Sequence, residues 1–240
     1  MSRTVLQKVG PIRMQGHTSE GRRVVELSKQ RRGERRTKFG EAAVEIIATQ
    51  GLRALTHRTV DETAGFPSGS VNYYAPSRSR LLALALETVH AQLRSIAMTA
   101  FGPLMSPGPH SPDEVIECGT VFVETARLEF PDVVTARHAL LVEAQFYPEL
   151  GDMINDHRQE LIQLSIAVGA AFRPEHPEDA ANLVVALMDG LIQQLVLGKL
   201  ETVTRPMVKM AMSHICTIGS ESSQWTTSAR PSVALTSPHD

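Results

Sequence analysis

The chain has 240 residues, of which 42% are hydrophobic and 21% charged, a composition that is ordinary for a globular protein and excludes a fibrous or generally disordered one. No apolar run approaches the roughly 20 residues of a membrane span, and no apolar segment follows the basic N-terminal residues as in a signal peptide. We therefore expect a cytoplasmic protein with no membrane partner. Residues 1–80 contain 15 Lys and Arg against 7 Asp and Glu, whereas residues 81–240 contain 9 against 19, so the N-terminal part suits a polyanion.

The N-terminal region changes character at Glu34. Residues 1–33 are basic and are interrupted by glycines, so we expect a flexible arm with at most a turn or two of helix. From Glu34 onward the apolar residues recur at helical spacing, which predicts an amphipathic helix that ends at Gly51.

Two short helices are predicted next. Thr56 is placed to cap a helix over residues 56–64, and Ser68 is placed to cap a second one over residues 68–74, with a Gly-Phe-Pro turn between them. This order is the layout of a helix-turn-helix, in which the second helix enters the major groove of DNA. We therefore expect a DNA-binding domain at residues 34–80.

The outward side of this motif carries small and polar side chains that suit contacts with DNA. The expected base-edge and close-approach residues are Ser68, Gly69, Ser70, Asn72 and Tyr73. The expected phosphate contacts are Thr56, His57, Arg58, Tyr73 and Arg78. Simpler roles stay open for several of them, since Thr56 and Ser68 suit N-caps, Asn72 suits solvent and paired tyrosines often pack.

Further helices are predicted downstream. A long apolar pattern starts at Ser77 and ends near Phe101, and a loop rich in Pro and Gly follows. The C-terminal residues 219–240 lack periodicity and are expected to be a disordered tail, which leaves residues 81–218 as a helical domain. The remaining helices are expected at residues 113–129, 132–146, 149–172, 178–198 and 203–217.

The ordered signals in residues 35–98 resemble the DNA-binding region of TetR-family transcriptional regulators. The matching residues are, in order, Gly51, Thr56, Ala64-Gly65, Gly69-Ser70, Tyr73-Tyr74, Pro76-Ser77-Arg78 and Leu81-Leu82. The resemblance implies an all-α protein of about nine helices, with an N-terminal three-helix helix-turn-helix domain joined to a C-terminal helical ligand-binding and dimerisation domain. The chain departs from the family pattern where the family's phosphate-binding Tyr falls on Asn72, its later Phe on Ala75 and its Lys on Arg78.

The last two predicted helices carry apolar stripes. In the family these helices form a four-helix dimer interface, and the resemblance implies the same here, with a purely intramolecular core as the alternative. The expected interface residues are Val184, Leu187, Leu191, Leu195, Val208, Ala211, Met212 and Ile215.

A ligand cavity is also expected in the C-terminal domain. Met adapts to varied ligands, and aromatic residues line many apolar pockets. The candidate lining residues are Met98, Phe101, Met105, Phe122, His138, Phe146 and Met188, although core packing or solvent exposure is the commoner role for each of them.

Catalysis is not indicated by the sequence. The chain shows no GxSxG, GxGxxG, GxxxxGK[ST] or HExxH motif, and its nine histidines lack metal-ligand spacing, so we expect no catalytic residue, metal or cofactor. The sequence instead predicts a homodimeric repressor that leaves a palindromic double-stranded operator when a small apolar or aromatic effector binds. A regulator controlled by a protein partner, a regulator without an effector, and an activator stay open.

Overall fold

The computed structural model describes residues 19–106, 110–172, 175–197 and 204–221. Within these ranges the secondary structure is helical and contains no β-strand, which confirms the predicted all-α fold. The α-helices are α1 (Ser19–Gln50), α2 (His57–Thr63), α3 (Arg78–Phe101), α4 (Pro112–Glu129), α5 (Pro131–Glu143), α6 (Pro148–Phe172), α7 (Pro177–Leu197) and α8 (Arg205–Glu221). Short 3-10 turns occupy Leu52–Ala54, Val71–Tyr73, Gly102–Met105 and Ala144–Phe146.

The described chain forms two compact units, of which the first ends at Lys38 and the second begins at Phe39. The first unit contains the N-terminal part of α1. Residues 19–38 hold eight Lys and Arg against three Glu. Every side chain from residue 26 to residue 38 is exposed, so this part of α1 is a solvated basic helix.

The flexible arm predicted for residues 1–33 needs correction. Residues 19–33 are helical, and residues 1–18 lie outside the described residues. Arg, Lys, Gln and Glu all have high helix propensity, and each Gly costs only about 1 kcal/mol in a helix. A helix without an apolar face leaves no periodic signal, which is why the sequence pattern placed its start at Glu34.

The second unit begins with the apolar part of α1. Phe39, Ala43, Ile46 and Ile47 are buried, as the helical spacing predicted. Gly51 ends the helix with a φ of 81°, and its N–H donates to the carbonyl oxygen of Ile47 at 3.0 Å. Only Gly adopts this backbone conformation readily, so the predicted C-terminal end of α1 is confirmed.

The helices from α3 to α8 lie close to their predicted positions. Ser77 accepts a hydrogen bond from the Arg80 N–H at 3.2 Å and caps α3, and Ser111 caps α4 in the same way. α5 is shorter than predicted, because residues 144–146 form a 3-10 turn. The predicted disordered tail, residues 219–240, begins inside α8, which reaches Glu221, and its remainder lies outside the described residues.

One hydrophobic core runs through the second unit, from Phe39 in α1 to Met212 in α8. α3 contributes a large share of it, and its buried positions follow one another along almost the whole helix. The boundary that the sequence places between residues 80 and 81 therefore lies inside a continuous helix and a continuous core. The domain division itself stays a prediction.

The stripe predicted to form a dimer interface faces the interior of the single chain. Its buried members have exposed fractions between 0% and 5%, and they are Val184, Leu191, Leu195, Val208 and Met212. Leu187 and Ala211 are half-buried, and the side chain of Ile215 lies outside the described residues. The five buried residues are not available to a second copy, so the intramolecular alternative holds for them.

The same burial accounts for the apolar character of α7. By length and composition alone, residues Pro177–Val196 could cross a membrane, and 44% of that window is buried inside the protein. A helix that packs on more than one side needs apolar residues around much of its circumference. α7 meets this need through its contacts with α4, α5, α6 and α8.

α6 and α7 form the most extensive helix pair of the described chain. Gly169 of α6 lies directly against the start of α7. A Cβ atom at this position would overlap the carbonyl oxygen of Pro177 and would lie 2.9 Å from the backbone nitrogen of Ala181. Backbone atoms cannot move aside as a side chain does, so the close approach of these helices requires glycine.

Replacing Gly169 with Ala should therefore lower the free energy of unfolding by about 1 to 3 kcal/mol, the usual effect of overpacking. Gly151, in the same helix, is the matched control because a Cβ there meets no atom within 4 Å. Gly151→Ala should be neutral or stabilising by up to about 1 kcal/mol. Urea unfolding of both variants measures the difference, and equal stability of Gly169→Ala and the unmodified protein would contradict the close packing.

Candidate nucleic-acid interface and ligand cavity

The start of α2 is fixed by two threonines. The Thr56 hydroxyl accepts a hydrogen bond from the Thr59 N–H at 3.2 Å, and the Thr59 hydroxyl accepts one from the Thr56 N–H at 3.0 Å. This reciprocal pair satisfies two N–H groups that a helix N-terminus otherwise leaves unpaired. The predicted N-cap role of Thr56 is confirmed, and its side chain remains exposed.

The segment predicted to be the second short helix, residues 68–74, is not an α-helix. It consists of a turn in which Gly69 has a φ of 91°, followed by the 3-10 turn Val71–Tyr73. Ser68 makes no helix cap, which corrects the role proposed for it from the sequence. A positive φ at Gly69 interrupts any α-helix that would start at Ser68, because such a helix needs φ near −60°.

A residue that the sequence analysis did not single out holds this segment in place. Asp61 of α2 is only 1% exposed, and its two carboxylate oxygens accept the N–H groups of Gly69 at 2.7 Å and Val71 at 2.8 Å. An ionised acceptor makes these bonds stronger than neutral ones. The only sequence signal was an acidic residue beside the buried Val60, a position where an apolar side chain would be expected.

The outward side of the segment is polar. Ser68, Gly69 and Asn72 are exposed, and Tyr73 is exposed over 67% of its surface. The half-buried Ser70 donates its hydroxyl hydrogen to the carbonyl oxygen of Pro67 at 2.6 Å.

The inward side of the segment is anchored to α1. Val71 is fully buried, and the ring of Tyr74 lies 5.3 Å from that of Phe39, centroid to centroid. Phe66 lies on the same Phe39 ring, at 4.8 Å. Tyr73 in turn meets Tyr74 edge to face at 5.1 Å, so a rigid aromatic stack supports the exposed tyrosine.

The three cationic candidates differ in what they contact. Arg58 is exposed and forms an ion pair with Glu62 at 2.8 Å, and the hydrogen bond and charge of Glu62 raise the pKa of Arg58. His57 and Arg78 are instead bound to backbone carbonyls. His57 Nε2 lies 2.6 Å from the oxygen of Ala75, which can only accept, so Nε2 carries the hydrogen.

Arg78 bridges the start of α3 to the turn that follows α1. Its guanidinium donates to the carbonyl oxygens of Leu55 at 2.9 Å and Leu52 at 3.1 Å. These bonds satisfy carbonyls at the end of a 3-10 turn and use two of the five N–H donors of the guanidinium. His57 and Arg78 thus have structural roles, and their predicted phosphate contacts stay predictions.

A cavity of about 410 Å³ lies between α3, α4, α5, α6 and α7. Five of the seven residues predicted to line a cavity do line it: Met98, Phe101, Met105, Phe122 and Met188. His138 and Phe146 are not part of its lining, and Phe146 is 73% exposed. Phe146 belongs to a 3-10 turn rather than to the predicted longer helix, and this changes its direction.

Charged residues from three helices meet at one side of this cavity. Asp189 of α7 accepts a hydrogen bond from Arg137 of α5 at 2.8 Å and one from Arg158 of α6 at 3.3 Å. No sequence pattern predicts this cluster, because its members come from distant positions in the chain. It ties α5, α6 and α7 together beside the cavity.

Two histidines lie next to the charged cluster. The rings of His90 and His157 are 3.6 Å apart, centroid to centroid, and both line the cavity. His157 Nδ1 donates to the carbonyl oxygen of Met153 at 2.7 Å, whereas the buried Nδ1 of His90 has no partner among the described residues. Burial, followed by the charges of His157 and Arg137, lowers the pKa of His90 to about 3, so this ring is neutral at pH 7.

Comparison with known families identifies the C-terminal region. Residues 110–214 match the family model of the tetracyclin repressor-like C-terminal domain. No curated protein sequence matches the chain.

Solved structures share the fold at low sequence identity. A TetR-like transcriptional regulator from Rhodococcus sp. RHA1 is 14% identical, with a TM-score of 0.56 over 77% of this chain and 94% of that one. The multidrug binding protein EbrR, complexed with imidazole, is 21% identical, with a TM-score of 0.59 over 76% and 89%. The fatty acid degradation regulator FadR from Bacillus halodurans is 13% identical, with a TM-score of 0.62 over 76% and 94%.

The chain thus has the fold of helical transcriptional regulators with an N-terminal helix-turn-helix region and a C-terminal helical domain. The resemblance to TetR-family transcriptional regulators is confirmed, since residues 110–214 match the family model of the tetracyclin repressor-like C-terminal domain and the solved structures share the fold.

Replacing Asp61 with Asn should lower the free energy of unfolding by about 1 to 3 kcal/mol, because one buried N–H loses its acceptor. Glu62→Gln, at the adjacent exposed position, is the control and should change it by less than about 0.5 kcal/mol. Urea unfolding measures the free energy of unfolding of each variant. Hydrogen exchange at the Gly69 and Val71 amides shows whether the loss of protection occurs in this segment. Unchanged exchange at both amides in Asp61→Asn would show that Asp61 does not hold the segment.

Proposed function

We propose that this protein is a repressor that binds palindromic operator DNA as a homodimer and is released by a small apolar ligand. The observation that carries the proposal is the exposed segment 68–73, whose backbone N–H groups are hydrogen-bonded to the buried Asp61. The segment lies a few residues before the start of α3. α3 also lines the cavity, so one helix joins the two sites. No catalytic step is part of the proposal.

The chemistry of the exposed segment suits a DNA groove. The Asn72 amide offers a donor and an acceptor, which is the pattern that pairs with adenine in the major groove. Gly69 has no side chain and allows the backbone to approach DNA closely. Arg58 and the Tyr73 hydroxyl suit phosphate oxygens. Arg78 also stays in the proposed contact set, because its carbonyl bonds leave N–H donors free, whereas His57 is left out because Ala75 accepts its Nε2 hydrogen.

The basic helix 19–38 is a second candidate for phosphate contact. Its excess of five positive charges and its exposed side chains are the features of a nonspecific electrostatic contact with DNA. Such a contact would add affinity without reading sequence.

The dimer face that we propose differs from the buried stripe. An exposed row on α7 contains Leu183, Ala186 and Gly190, and an exposed row on α8 contains Met207 and Met210. Leu183 is 49% exposed and Met210 is 59% exposed, although both are apolar. Small residues in the α7 row allow a second helix to approach closely, so this surface suits a symmetric contact between two copies.

The cavity supports a small-molecule effector over the alternatives left open by the sequence. A regulator that responds only to a protein partner, or to nothing, has no need of an open volume of about 410 Å³ in its core, and this volume falls in the range of small-molecule sites. The structural neighbours EbrR, which binds imidazole, and FadR, a fatty acid degradation regulator, support the same proposal. We propose repression rather than activation of transcription, because ligand-induced release from the operator is the simplest use of such a cavity.

Operator sequences selected from random duplex DNA with the full chain provide the test of DNA binding. Arg58→Ala should weaken binding to the selected operator and to unrelated DNA by the same factor. It should also lower the slope of log binding constant against log salt concentration by about 1 in magnitude. Asn72→Ala should instead change the preferred base at one position of each half-site, at about 1 to 3 kcal/mol. Arg127→Ala on α4 is the matched control and should change neither affinity. If no sequence is enriched, or if the two variants exchange these effects, the roles assigned here are wrong.

Replacing Leu183 with Glu should convert the dimer into a monomer at micromolar concentration, because it places a charge in the proposed interface. Leu128→Glu on α4, where the leucine is 66% exposed, is the matched control, and this variant should sediment with the mass of a dimer. Sedimentation velocity measures both. A monomeric unmodified protein, or a Leu183→Glu variant that stays dimeric, would contradict the proposed face.

A further inference from the structure

The charged groups that line the cavity balance one another. Three guanidinium groups belong to Arg94, Arg137 and Arg158, and three carboxylates belong to Glu87, Glu160 and Asp189. Arg94 pairs with Glu160 at 2.5 Å, and Asp189 bonds both Arg137 and Arg158. The three guanidinium groups and the three carboxylates of the lining therefore cancel in formal charge.

This balance disfavours a charged ligand. A carboxylate or an ammonium group brought into a partly enclosed apolar cavity loses its hydration and has to find an opposite charge there. Arg94 is paired with Glu160, and Arg137 and Arg158 share Asp189, so a charged ligand would have to compete with these ion pairs. An uncharged ligand incurs neither loss.

One polar group of the lining lacks a partner. His90 Nδ1 is buried and unpaired among the described residues, and the ring lies on the helix that also supplies Met98 and Phe101 to the apolar part of the cavity. Burial keeps this imidazole neutral, with a pKa of about 3. A neutral imidazole nitrogen is a donor or an acceptor according to the tautomer, and a hydroxyl is the group that pairs with either one.

We infer that the cavity takes an uncharged amphiphile, an alcohol or phenol with an apolar body, whose hydroxyl pairs with the imidazole of His90 while the body contacts Met98, Phe101 and Phe122. This inference rests on the proposed function, in which the cavity is the effector site. It adds the chemical class of the effector. The apolar body supplies affinity, and the single hydroxyl sets orientation.

Three probes with one chain and different heads test the class of ligand. Calorimetry at pH 7.5, with the purified full chain and no DNA, compares 1-octanol, octanoate and octylammonium. We expect 1-octanol to bind at least about tenfold more tightly than either ion. Tighter binding of an ion, equal binding of all three, or no binding of 1-octanol would overturn the inference.

Two variants test the role of His90. His90→Leu keeps an apolar side chain but removes the nitrogen, and it should weaken 1-octanol binding about tenfold, the worth of one hydrogen bond in a site of this kind. Gln92→Leu is the matched control on the same helix. Its Oε1 is also buried and unpaired, but Gln92 does not line the cavity, so 1-octanol binding should not change. Equal effects of the two variants would remove His90 from the site.

The charge balance has its own test. Glu160→Gln leaves one arginine without its carboxylate and should improve octanoate binding about tenfold relative to 1-octanol. Because the Glu160 side chain is exposed, its replacement should leave the fold intact, so a change in relative affinity reports on the binding site. An unaltered ratio of the two affinities would show that charge balance does not select the ligand.

Operator binding, measured separately, distinguishes this inference from the proposed function. Binding of 1-octanol with the affinity for operator unchanged sustains the ligand class and contradicts ligand-induced release. Release of operator by octanoate but not by 1-octanol sustains release and overturns the ligand class.

Discussion

The attachment of α3 to the elements before it is the contact on which the rest of the molecule depends. Arg78, in the first turn of α3, bonds the carbonyls of Leu52 and Leu55, and Gly40 of α1 lies so close to Thr88 that a Cβ would overlap the threonine hydroxyl oxygen. Close-packed contacts of this kind transmit displacement rather than absorb it. A shift of α3 therefore carries the neighbouring turns with it.

The length of α3 gives this attachment its significance. Its 24 residues span about 36 Å at 1.5 Å per residue, from Arg78, a few residues after the exposed segment 68–73, to Phe101 in the cavity lining. Under the proposed function, a ligand in the cavity would act on the same helix whose first turn bonds the carbonyls that follow α1. For a hundredfold loss of operator affinity, the ligand has to favour the released state by about 2.7 kcal/mol, and operator has to weaken ligand binding equally.

Sequence patterns predicted the parts of the fold that local chemistry determines. The helix start at Ser77 and the end of α1 at Gly51 were foreseeable, since each residue acts on its own neighbouring backbone. The segment after Gly69 was not foreseeable in this way, because its conformation is imposed by Asp61 from another helix. The basic start of α1 was missed for a different reason, since a helix without an apolar face shows no periodicity.

Periodicity also identifies an apolar face without saying what covers it. The stripe containing Val184 and Met212 looked suited to a second copy, yet the single chain buries it, while less regular residues such as Leu183 and Met210 remain exposed. The cavity shows the complementary limit. Its apolar part was largely predictable from residue type, but its polar side arises only where α3, α5, α6 and α7 converge. Specificity for a ligand therefore resides in the part of the site that tertiary packing creates.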